Sequence, residues 1–203
     1  MGLGLPTTGD GDFINYCKYN AKAGRWASKY DKDDVREVAD MTAIFNFAEI
    51  KTGNFLFGDG MAPEKHFNSS LTNRDAEKPT DKFKPGFEVL VYSEKNLGGL
   101  REFCSTAAIV NDVMNDLYDL YEAQAASNPG MQPVVRCTNT VEVKGAHGSN
   151  YKPVLEIVQW APWPDLNEGA ADAPEALQAT PASSAAIVPP PSGAATQQQG
   201  DAF

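Results

Sequence analysis

After Pro164 the chain stops supplying material for a core. From Asp165 to Phe203 there are 39 residues, of which 11 are Ala, 5 Pro and 4 Gln, with five acids and no Lys or Arg. Such a segment buries too little apolar surface to repay its ordering entropy, about 1–2 kcal/mol per residue for the backbone alone. Residues 165–203 therefore read as a disordered acidic Ala/Pro/Gln-rich tail, and folding falls to residues 1–164, which is one domain's worth of chain.

Charge narrows the function classes. The whole chain carries 27 acids against 17 bases, a net of −10; without the tail's five acids the body keeps 22 against 17, a net of −5. That balance argues against a generic basic nucleic-acid coat and against adhesion to an acidic membrane, although a local basic patch is compatible with it. The sequence has no run of 18 apolar residues, and its start, Met1 to Pro6, has neither a basic n-region nor a long apolar stretch. The expected location is the cytoplasm, with no membrane partner.

Few residues suit catalysis or metal binding. Cys17, Cys104 and Cys137 are odd in number, widely spaced and without a C-x-x-C, and His66 and His147 have no nearby second ligand. Glu142-Val143-Lys144 has the E-x-K spacing of metal-dependent nucleases, with Asp116 or Asp119 as a second carboxylate, but the aspartates sit on a helix and no strand-end acid leads into the motif. There is no P-loop, and Gly58-Asp59-Gly60 lacks a strand-to-helix context. The expectation is a non-enzyme with no cofactor and no metal.

The body is dominated by β signals. Residues 13–20 and 25–30 flank Ala21-Lys22-Ala23-Gly24, where a glycine accepts positive φ, and read as a hairpin. Residues 42–50 and 55–57 form a second pair around a turn at 51–54. The stretch 58–85 is long for a passive connection and reads as a functional or mobile loop, and 86–93 alternates as a strand. Ile109, Val110, Val113, Met114, Leu117, Leu120 and Tyr121 recur at helical spacing, predicting one long helix capped by Ser105 or Thr106 and ended at Asn128-Pro129-Gly130. Strands at 134–144 and 151–160 follow around Gly145–Gly148. This order predicts a mainly β fold with one long helix: an OB-like five-stranded Greek-key barrel with an extra hairpin and a long loop, an open α+β sheet being the alternative.

Residues 13–30 differ from the rest of the chain. They hold five aromatics (Phe13, Tyr16, Tyr19, Trp26, Tyr30) and four bases (Lys18, Lys22, Arg25, Lys29) without one acid. Rings and cations on one ribbon suit single-stranded nucleic acid, whose unstacked bases gain about 1–3 kcal/mol each on aromatic platforms while the cations meet phosphate. Tyr16, Lys18, Tyr19, Lys22, Arg25, Trp26 and Lys29 are the candidate contacts. Strand alternation lets only about half of the rings face solvent together. The competing reading makes the rings core and the bases its solvated edge. Lys78, Lys82 and Lys84 extend the track or merely solvate a loop, and Trp160 and Trp163 read as core plugs at the last strand's exit.

The body followed by a tail ending in Gly200-Asp201-Ala202-Phe203 resembles the single-stranded DNA-binding proteins of bacteria and, more closely in size, those of bacteriophages. Lys18 to Arg25, Gly98 to Phe103 and Ile157 to Trp160 are also similar to segments of uncharacterised phage proteins. The resemblance implies an OB domain that holds the strand, and an acidic tail whose Asp201 and Phe203 recruit replication and recombination proteins. The bacterial tip has several consecutive aspartates before an isoleucine–proline–phenylalanine end, where this chain has Asp201 alone. The expected function is single-stranded DNA binding in phage replication or recombination, with homo-oligomerisation compatible. The alternative is a phage structural or assembly protein that uses the same hairpin for protein contacts.

Overall fold

Ten segments of the chain become strands in a computed structural model that describes residues 15–31, 33–58, 63–145 and 148–165. The chain divides into Met1–Glu168 and Gly169–Phe203, and the second unit lies outside the described residues, as do Asp201 and Phe203. The strands are β1 (Tyr16–Asn20), β2 (Arg25–Lys29), β3 (Val35–Val38), β4 (Thr42–Phe45), β5 (Lys51–Leu56), β6 (Glu64–Phe67), β7 (Lys84–Ser93), β8 (Gly99–Ser105), β9 (Met131–Gly145) and β10 (Gly148–Pro162). A four-residue helix α1 (Glu94–Leu97) joins β7 to β8, and α2 (Ala108–Ala125) joins β8 to β9. The fold is mainly β, as the sequence predicts. No helix among the described residues is long and apolar enough to cross a membrane.

All ten strands belong to one open mixed sheet in the order β10-β9-β4-β7-β8-β1-β2-β3, with β5 and β6 branching from β7. Strand β7 organises this path. Its first half pairs with β5, its second half pairs with β4 on that same side, and β8 runs along its other edge. The one parallel pairing among the described residues, β1 with β8, sets Tyr16 beside Glu102 and Cys17 beside Phe103. The sequence reading passed over β3, β6, α1 and β8, and placed a turn where β5 runs. The chain does not reverse there: β4 and β5 run in the same direction along one edge of β7, joined by a short 3-10 turn at Phe47–Glu49, and the reversal falls between β5 and β6. In the 3-10 turn Phe47 is 1% exposed, packs against Tyr118 and Tyr121, and donates its backbone N–H to Gln132 Oε1. A buried ring anchors this excursion between two strands of one direction, and Gly53 lies inside β5 rather than at a turn.

The core lies on the face that carries Trp26, Phe45, Val89, Val91 and Phe103, closed by Val110, Met114 and Leu117 of α2. Helix α2 begins without a side-chain cap on Ala107; Ser105 Oγ accepts from the Ala107 N–H instead. The sheet curls until β10 meets β1 and the turn that follows it: Tyr151 N–H donates to Ala21 O at 2.7 Å, and Tyr19 Oη donates to Tyr151 O at 3.1 Å. Gly24 makes this contact possible. Its φ is +68°, and a Cβ there would lie 3.0 Å from the Tyr151 ring.

Candidate nucleic-acid interface

Strand alternation sorts the predicted hairpin residues into two sets. Cys17, Tyr19, Trp26 and Ser28 point inward, whereas Tyr16, Lys18 and Asn20 of β1 and Arg25, Ala27 and Lys29 of β2 lie on the other face. Tyr19 is 8% and Trp26 5% exposed, so the structure corrects their reading as base platforms. The Trp26 ring sits 5.0 Å from both Tyr19 and Phe103, inside the main core. Both rings were accessible only in a ribbon standing alone, and the curl of the sheet covers that face. Among the described residues Trp26 Nε1 has no hydrogen-bond partner, a buried vacancy that costs about 1–3 kcal/mol.

The other face keeps a cationic ring site. Tyr16 is half-buried, with Lys18 Nζ 5.8 Å and Lys29 Nζ 5.6 Å from its centroid. Each contact is worth about 0.5–1 kcal/mol at such a site and holds two ammonium groups beside one aromatic surface. Lys22 is exposed in the turn, where Asn20 Oδ1 accepts the Lys22 and Ala23 N–H groups. Arg25 pairs with Glu37 on β3 at 3.0 Å, so its charge is already offset by a carboxylate. The structure thus brings Tyr16, Lys18 and Lys29 together, places Lys22 at the tip and ties Arg25 to an acid.

A charge network borders this patch. Lys65 Nζ bridges Glu88 at 2.7 Å and Glu102 at 2.5 Å, and Lys51 Nζ stands 3.8 Å from Glu88. Burial works against the Lys65 charge, but hydrogen bonds to Glu102 and Glu88 outweigh it and hold its pKa above the usual lysine value. Glu88, Glu102 and Cys104 have ligand atoms close enough to share a metal ion. The lysine ammonium already lies between the two carboxylates, and burial pushes the Cys104 thiol well up, so it stays protonated. Two lysines against two glutamates leave the network neutral.

Sequence reasoning missed two rings. Phe57 is 45% and Phe67 39% exposed at the β5–β6 hairpin, both packed on the buried Phe55, with Lys51 Nζ 5.2 Å from the Phe67 ring. The alternation of Phe55 and Phe57 was the available signal, but only the pairing of β6 with β5 brings Phe67 to it. Residues 68–76, within the region expected to be a mobile or functional loop, are tied by hydrogen bonds: Asn54 Nδ2 donates to Ala76 O, Asn68 Oδ1 accepts from Ala76 N–H, and Asp75 Oδ1 from Ser69 N–H. Within it Lys78 lies 4.0 Å from Asp81, while Lys82 and Lys84 are exposed. Trp160 stacks on Tyr121 at 5.8 Å and is half-buried beside α2.

No family model, curated protein or solved structure matches the chain.

Proposed function

We propose that this chain binds single-stranded nucleic acid, DNA in the first place, without catalysing a reaction on it. One observation carries the reading: the ammonium groups of Lys18 and Lys29 lie 5.8 Å and 5.6 Å from the centroid of the Tyr16 ring, on the sheet face away from the core. A base stacks on the ring while neighbouring phosphates meet the lysines, with Lys22 extending the cationic edge. Duplex DNA offers no unstacked base to such a site. The OB-type architecture belongs to the same proposal. It is supported by the position of α2 between β8 and β9 and by the curl that joins Ala21 to Tyr151. The phage setting and the recruitment of replication or recombination proteins through Asp201 and Phe203 rest on the resemblance of the tail.

The test is a fluorescence titration with oligo(dT) at two salt concentrations and against duplex of the same length. Three lysines meeting phosphate give a log–log salt slope near −2, from about 0.7 per contact on single strands. Equal affinity for duplex, or binding indifferent to salt, overturns the proposal. A second reading, a structural or assembly protein that uses the same hairpin for protein contacts, is favoured by the mixed-charge Arg25–Glu37 edge. It requires a discrete particle or oligomer formed through the hairpin without nucleic acid.

A further inference from the structure

The β9–β10 ribbon projects an unprotected edge. Strand β4 pairs with β9 only at Val134–Arg136, and Cys137 N–H donates to Met41 O just beyond. Residues 137–140 then line a groove opposite Gly24–Trp26 and Val38. From Val141 to Gly145 every residue is exposed, and among the described residues β10 is the only strand paired with this segment. Natural edges are usually blunted by proline, bulges or cover. The outer edge of β10 follows that rule: it contains Pro153, shifts register at 154/155 and 157/159, and gives its Tyr151 N–H to Ala21. Val141–Gly145 has no proline and no register shift, and it exposes Val141 at 46% and Val143 at 43% on one face.

The order of charges on this edge selects the partner. Glu142 and Lys144 flank Val143 symmetrically and share the opposite face, and neither has an ion-pair partner within 4.0 Å among the described residues. We propose that Val141–Gly145 is a self-association site. It pairs antiparallel with the same segment of a second copy of the chain, about a twofold axis at Val143. In that register Val143 meets the partner's Val143, and Glu142 meets the partner's Lys144 twice by symmetry. Any shift by one residue sets Glu142 or Lys144 against itself or against an apolar residue, so the charges fix the register. Five residues a side form a small interface, well below the roughly 1,200 Å² of stable complexes, so the dimer is reversible and concentration-dependent.

Sedimentation of the full chain without nucleic acid, from about 5 to 500 µM, tests this. The wild-type chain is expected to shift from monomer to dimer. Glu142→Lys or Lys144→Glu alone places like charges opposite each other on both sides of the axis and weakens association about tenfold or more. The double variant Glu142→Lys/Lys144→Glu exchanges the partners and restores the wild-type dimer. Circular dichroism checks that these exposed substitutions leave the fold intact. A wild-type chain that stays monomeric throughout, single variants that dimerise normally, or a double variant that fails to recover would each overturn the proposal.

Discussion

The indole of Trp26 lies 5.0 Å from the ring of Phe103, centroid to centroid and tilted by 58°, so β2 is fastened to β8 through the core rather than through backbone pairing. Trp26→Ala removes the ring that touches both Tyr19 and Phe103, and its expected cost is about 3–5 kcal/mol. Urea unfolding measures it. Intrinsic fluorescence adds a second check: with Trp26 in the core, oligo(dT) is expected to leave its emission unquenched in a Trp160→Phe/Trp163→Phe background.

Tyr16 is expected to behave in the opposite way. Tyr16→Ala should weaken oligo(dT) binding by about 1–3 kcal/mol in stacking. Its effect on stability should stay below about 1 kcal/mol, because its ring faces away from the core. Lys18→Ala should flatten the salt slope by about 0.7, and Arg25→Ala by less, since Glu37 already offsets that charge. Titrations at two ionic strengths separate the two lysine and arginine outcomes.

Removing Lys65 would leave Glu88 and Glu102 facing each other, both largely enclosed. Lys65→Met is expected to destabilise the fold by about 2–4 kcal/mol at pH 7, because Glu102 loses its cation and Glu88 keeps only Lys51, at 3.8 Å. Urea midpoints of variant and wild type measure this loss, and equal midpoints would contradict the network.

Burial lifts the Cys17 thiol from its usual 9 to about 12. Between those values the unfolded chain releases the proton while the folded chain keeps it, so the thiol's contribution is complete below pH 9 and is lost as pH rises toward 12. The slope is about 1.4 kcal/mol per pH unit for this group. Cys17→Ala should be less sensitive to alkali than the wild type over that window, read from denaturant midpoints. In the native protein a disulfide reagent should modify Cys137 well before Cys17 or Cys104.

The first hairpin, strand β7 and helix α2 were legible locally. Each rests on a signal within a few residues: a glycine turn between Tyr16–Asn20 and Arg25–Lys29, alternation of Phe87, Val89 and Val91, and helical spacing from Val110 to Leu117. Strand β8 was not, because Leu100-Arg101-Glu102 looks like a solvated run. Only packing makes Arg101 a buried residue, donating to Ser28 Oγ and lying 5.0 Å from the Tyr30 ring. The same holds for Phe67, whose place beside Phe57 depends on a pairing across the β5–β6 connection.

The sequence by itself determined a β-rich body, one long helix and a cluster of cations and rings near its start, because these follow from residue type and short-range periodicity. Tertiary structure alone decided which face of the first hairpin became interior. The period of a strand says that Tyr16 and Lys18 oppose Cys17 and Tyr19, but not which set the rest of the chain will cover. Contacts from Phe103 and Tyr151, more than 70 residues away in the chain, enclosed Tyr19 and Trp26 and left Tyr16 with its two lysines on the other side.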